Sequence, residues 1–185
     1  LSTSAHAQLT NPLPSPTASG LNIEIEPWLT IPASKSTAPR ARINHVKPCP
    51  DGVRLFCNDL RGKFWVIAST GANSATEFLD MSDHFPNFID SPGLGSGFSS
   101  FAFHPEFFSS GTPGYGKFYT THTESPGAST PDFIGPVSPT TSQVSILTEW
   151  TMTNPSDNSI TTTSGNFTTR EVLRVAYPYH FHGQQ

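Results

Sequence analysis

Residues 92–124, PGLGSGFSSFAFHPEFFSSGTPGYGKFYTTHTE, decide the fold class. A glycine-rich approach leads into residues 98–103, FSSFAF, a short apolar run with no helical period. His104-Pro105 ends the run, because proline removes an amide donor and restricts the residue before it. After a Gly/Ser/Pro loop, residues 117–124 alternate. Phe118, Thr120 and His122 fall on one face, and Tyr119, Thr121 and Thr123 on the other. Strand, Pro-acid turn and aromatic second strand are the local signature of an antiparallel β array.

The same order occurs upstream. Residues 43–47 read as a short strand, and Pro48-Cys49-Pro50-Asp51-Gly52 as a turn, since Asp-Gly tolerates the required backbone angles. Residues 53–58 alternate with Val53, Leu55 and Cys57 on one side, residues 63–68 (KFWVIA) form a third strand, and residues 75–80 a fourth. Downstream of the opening stretch, residues 143–153 alternate with Val144, Ile146, Thr148, Trp150 and Met152 on one face, and residues 170–176 complete a second set of four. Pro50 and Pro105 hold equivalent turn positions. An internal repeat of this size predicts an array architecture. The fold expected is all-β: a partial, six-bladed-type β-propeller with two four-stranded antiparallel blades and the start of a third. A complete small β-sandwich is the alternative. Because a propeller closes with several blades, residues 42–185 are expected to be the N-terminal blades of a longer protein, and the 185-residue piece alone is expected to be inactive.

Composition agrees with this class. The chain has 185 residues, 18 of them proline, with a formal charge of −4 and 13% charged residues. Good helix formers are scarce, and no amphipathic helical window exceeds two turns. Mild acidity without a Lys/Arg run argues against nucleic-acid binding. No stretch approaches the roughly 20 apolar residues of a membrane helix. Residues 1–20 read as a flexible N-terminus, and residues 21–41 as an edge strand (21–25) followed by a linker without periodicity. Ser4-Ala5-His6-Ala7 has the small residues of a secretory cleavage site, with an ordinary N-terminus as the alternative; the location expected is secreted or periplasmic. Cys49 and Cys57 are then expected to form a disulfide, worth roughly 2.5 kcal/mol by loop entropy, the alternative being two buried thiols. Too few ligands surround them for zinc. Asn166-Phe167-Thr168 is a glycosylation sequon.

Three places resemble the soluble quinoprotein glucose/sorbosone dehydrogenase family. They are residues 42–45 with 58–63, residues 93–97 with 101–107, and residues 170–175 leading to His180-Phe181-His182-Gly183. The resemblance implies a propeller that oxidises a sugar with pyrroloquinoline quinone and calcium, and passes the electrons to an external acceptor. It makes His182 the general base, a role suited to a side chain with an ordinary pKa near 6.5. Gly183 lets the backbone approach a flat cofactor. Gly95 stands where the family carries a glutamine that touches the quinone, and Gln184-Gln185 where many members have glycines. The calcium ligands are expected beyond Gln185. From the residues alone, His180 and His182 share a strand face and can equally hydrogen-bond the rim or hold an adventitious metal. The other class of function is a non-catalytic propeller that binds carbohydrate or a protein partner, a reading that Gly95 motivates. His104 reads as a turn histidine, Asn44 and His45 as strand residues at a place equivalent to Gly95, and Asp59 with Arg61 as a solvated loop ion pair.

Overall fold

A computed structural model describes residues 20–68, 74–93, 95–135 and 142–177. The regular structure of the described chain is almost entirely β: β1 Ile43–Pro48, β2 Arg54–Asp59, β3 Lys63–Ala68, β4 Ala75–Asp80, the single helical turn α1 Met81–His84, β5 Phe98–Phe103, β6 Lys117–Glu124, β7 Phe133–Ile134, β8 Gln143–Met152 and β9 Phe167–Tyr177. The first sheet is an antiparallel meander, β1-β2-β3-β4. The second runs β5-β6-β8-β9 antiparallel, with β7 lying parallel along the outer edge of β9. Local chemistry sets the turns. Asp51 accepts the N–H groups of Val53 and Arg54 at 2.9 and 3.0 Å, and Gly52 takes a positive φ of 69°.

The two meanders are copies of one another in register. Strand β1 is bulged against β2 between Ile43 and His45, and β5 is bulged against β6 between Phe98 and Ser100. Strand β3 shifts against β4 at Phe64/Trp65, and β8 shifts against β9 at Leu147/Thr148. The ladders make these irregularities coincide: Asn58 pairs with His45 and Phe64 in the first sheet, as Thr121 pairs with Ser100 and Leu147 in the second. A bulge displaces one residue and re-aims the strand after it, so both sheets are bent at the same register positions. The turns agree as well. Cys49 donates to the Arg54 carbonyl and His104 to the Lys117 carbonyl, and Pro50 and Pro105 each follow directly.

The repeats stack front to back. Phe56 and Phe64 point from the first sheet into the interface, with ring centroids 4.8 Å from Phe103 and 4.6 Å from Phe101. Their register counterparts, Tyr119 and Leu147, lie on the opposite, outer face of the second sheet, where the Tyr119 hydroxyl donates to Glu149. The second sheet packs inward through Phe118 and Trp150, which are stacked at 5.6 Å. Counterparts of these two, Leu55 and Ile67, lie on the outer face of the first sheet with Cys57 and Trp65, under Leu29 and Ile31. Phe118, Thr120 and His122 do share a buried face, as do the alternate residues of β8 from Val144 to Met152. Each buried aromatic contributes roughly 1.5–3 kcal/mol of burial, with edge-to-face ring pairs adding to it.

Three expectations need correcting. Residues 21–25 form no strand, and Leu21, Ile23 and Ile25 are exposed. Cys49 and Cys57 are free, buried thiols. Cys49 belongs to the core between the sheets, and Cys57 to the cluster on the outer face, so alternation along the hairpin separates them. Burial pushes both thiols up to about 11. The third is β7, a two-residue strand lying between the stretches 117–124 and 143–153, the neighbouring strands that the alternation predicts.

Candidate functional site

The two first strands run side by side in the same direction. The Asn44 side-chain amide donates to the Ser99 carbonyl, and the Lys47 ammonium donates to the Phe101 carbonyl at 2.7 Å. Asn58, fully buried, joins their starts: its Oδ1 accepts from the His45 N–H at 3.0 Å, and its Nδ2 donates to the Phe98 carbonyl at 2.6 Å. These bonds satisfy backbone groups that the bulges leave unpaired. The starts of β1 and β5 therefore lie at one rim, with Arg42 before one and the glycine-rich loop before the other.

At this rim the residues before β1, the β2–β3 turn and the loop before β5 line an open pocket of about 390 Å³. Its wall includes Lys35, Arg42, Arg61, Asp90 and Gly93. The Asp90 carboxylate takes both the Lys35 ammonium at 2.7 Å and an Arg61 Nη at 3.2 Å. The Arg42 guanidinium donates to the backbone carbonyls of Asp90 and Gly93. Burial, then the neighbouring Arg61 charge, pull Arg42 below its ordinary value, against the opposing pull of Asp90 and Asp59. Asp59 is wholly buried behind the wall, where its Oδ1 accepts the backbone N–H groups of Arg42 and Arg61 at 3.1 and 2.8 Å.

Gly95 lies in the loop at this rim with φ of 95°, a left-handed backbone suited to glycine, and its N–H donates to the Gly93 carbonyl. His182 and Gly183 lie outside the described residues, as does His180. Asn44 and His45 correspond in register to Ser99 and Ser100 rather than to Gly95, because the pairing of β5 begins only at Phe98. Asp59 and Arg61 are no solvated ion pair: the carboxylate is buried on backbone N–H groups, and the guanidinium turns to Asp90 and the Pro39 carbonyl. His104 is a turn histidine, its Nδ1 accepting the Glu106 N–H at 3.1 Å, and a Cβ at Gly114 would overlap its ring.

Tested against a flat quinone cofactor, the rim fits in one respect: half-buried Gly95 leaves its backbone without a covering side chain. The side-chain amide of the family's glutamine has no counterpart at that position. Among the described residues, no group of three or more His, Cys, Asp or Glu side chains is arranged to hold a metal ion.

A second polar cluster went unread in the sequence. His122 is fully buried beside the Phe85 ring, and its Nε2 lies 3.1 Å from Glu124 Oε1. Arg174 bonds Glu124 at 3.3 Å and Glu171 at 2.6 Å. Burial holds His122 below its ordinary value despite Glu124, so the ring is neutral near pH 7. The His-x-Glu spacing of β6 was the available signal, since it puts both groups on the face of Phe118. No comparable signal joins Lys35, Arg42, Arg61 and Asp90, which come from separate segments. No protein-family model matches the chain, and no curated protein matches it.

Proposed function

We propose that this chain forms the first two blades of a β-propeller of the glucose/sorbosone dehydrogenase type, within a secreted or periplasmic sugar dehydrogenase. The observation that carries this reading is the front-to-back stacking of two meanders that share their bulges. A sandwich pairs two inner faces. Here the register positions that the first sheet turns toward the second, Phe56 and Phe64, recur on the outer side of the second as Tyr119 and Leu147, an arrangement that supports a reading of successive blades. The small residues Ser4, Ala5 and Ala7 support export.

In this reading His182 is the family's channel-mouth histidine. His182 takes the proton from a sugar hydroxyl as the attached carbon gives up a hydride, leaving a carbonyl. A neutral imidazole suits that step near pH 7. When bound, pyrroloquinoline quinone with calcium supplies the two-electron acceptor, and an external acceptor removes the electrons. Gly95 and Gly183 leave room for the flat ring against the backbone.

A second reading, a non-catalytic propeller that binds carbohydrate or a protein partner, is favoured by the missing side chain at Gly95. The experiment titrates the full-length protein carrying this chain with quinone and calcium and follows aldose-dependent dye reduction. Saturable activity lost in His182→Ala supports the dehydrogenase. Absence of quinone binding at every calcium level leaves the binding propeller.

A further inference from the structure

We propose that the rim pocket between Lys35, Arg42 and Arg61 binds a small anion carrying a carboxylate or phosphate group. The inference rests on charge and geometry and is independent of the dehydrogenase reading.

Three cations from separate segments converge on one cavity, and Asp90 is the one carboxylate in its wall. That carboxylate is shared between Lys35 and Arg61. The Arg42 guanidinium is held by backbone carbonyls and has no carboxylate hydrogen-bonded to it among the described contacts. Counting Asp59 behind the wall still leaves an excess positive charge. Arg61 adds a buried Nε–H without a hydrogen-bond partner. Like charges brought together in this way raise one another's cost, and an incoming anion relieves it. The carbonyls that hold Arg42 fix its fork in place, so little ordering is required of it on binding. Lys35 is the most exposed of the three and shares Asp90 with Arg61, so its ammonium can turn from that carboxylate to a ligand. A cavity of about 390 Å³ is in the usual range for a small-molecule site.

The test is calorimetric titration of the full chain at low salt, with inorganic phosphate in one arm and malonate in the other. Saturable one-site binding that weakens as salt rises is expected in at least one arm. Binding of phosphate alone assigns a phosphate group, of malonate alone a carboxylate, and of both the shared chemistry. Lys35→Glu, at an exposed position, is expected to weaken binding by about tenfold or more, and Arg61→Gln to weaken it as well. Lys117→Glu, whose lysine pairs with Glu149 on the second sheet, leaves binding within about twofold. Thermal unfolding of each variant reports whether it is folded. No saturable binding in either arm, or an equal loss in folded Lys117→Glu, overturns the proposal.

Discussion

Phe64 and Leu147 hold the same register position in the two sheets, yet front-to-back stacking gives them opposite surroundings. Phe64 is fully buried, with the rings of Phe56, Phe78, Phe98, Phe101 and Phe118 at centroid distances of 4.6–6.3 Å. Phe64→Ala removes a ring that both sheets touch, and the rigid neighbours cannot close the space. The expected cost is about 3–5 kcal/mol. Leu147 is only half-buried, on the outer face, so Leu147→Ala forfeits less burial and opens no enclosed cavity. Its expected cost is about 1–2 kcal/mol. Urea unfolding of the 185-residue chain, followed by tryptophan fluorescence and by circular dichroism, measures both values if the transitions coincide. Thermal midpoints should fall by roughly 10 °C for Phe64→Ala and by a few degrees for Leu147→Ala. Equal costs at the two positions would refute front-to-back stacking, because a face-to-face sandwich of the two repeats buries counterparts alike.

Three further outcomes are expected. Gly97→Ala should abolish cooperative folding, since φ is 110° and the new Cβ would overlap the Leu60 carbonyl oxygen, whereas Gly52→Ala, open on all sides, should cost only about 1 kcal/mol; comparative urea unfolding checks both. Stability should decline as pH falls below about 6.5, because burial holds His122 below its ordinary value in the folded chain and the unfolded chain takes up the proton first. His122→Gln should lessen that slope in unfolding measured from pH 7.5 down to about pH 5, above the range in which depressed carboxylates such as Glu124 and Asp80 titrate. Finally, a thiol reagent should label neither cysteine in the native chain and both in denaturant, without prior reduction. Labelling that needs a reductant would restore the disulfide.

The β class and most of its strands were legible because alternation and turn chemistry are local. Residues 63–68, 75–80 and 98–103 appear as strands with the boundaries that their patterns predict. Even the equivalence of Pro50 and Pro105 follows from the residues. What escaped depends on distance along the chain. Residues 21–25 alternate but keep their apolar side chains exposed and form no strand, and β7 is too short to carry a period. The cysteines are near in sequence but lie on opposite faces, and Asp59 found buried N–H groups before it could find Arg61. The cation-lined pocket joins positions up to the length of a whole repeat apart, so spacing gave no sign of it. His122 was placed on the correct face, but its burial depends on Phe85 from the loop that covers the end of β6.

A crystal structure of the full-length protein that carries this chain is the most direct test of the repeat architecture. The account predicts a third four-stranded meander packed onto the face of Tyr119, Leu147 and Glu149. A two-sheet protein with that face left open to solvent, or a third sheet bound elsewhere, would contradict it.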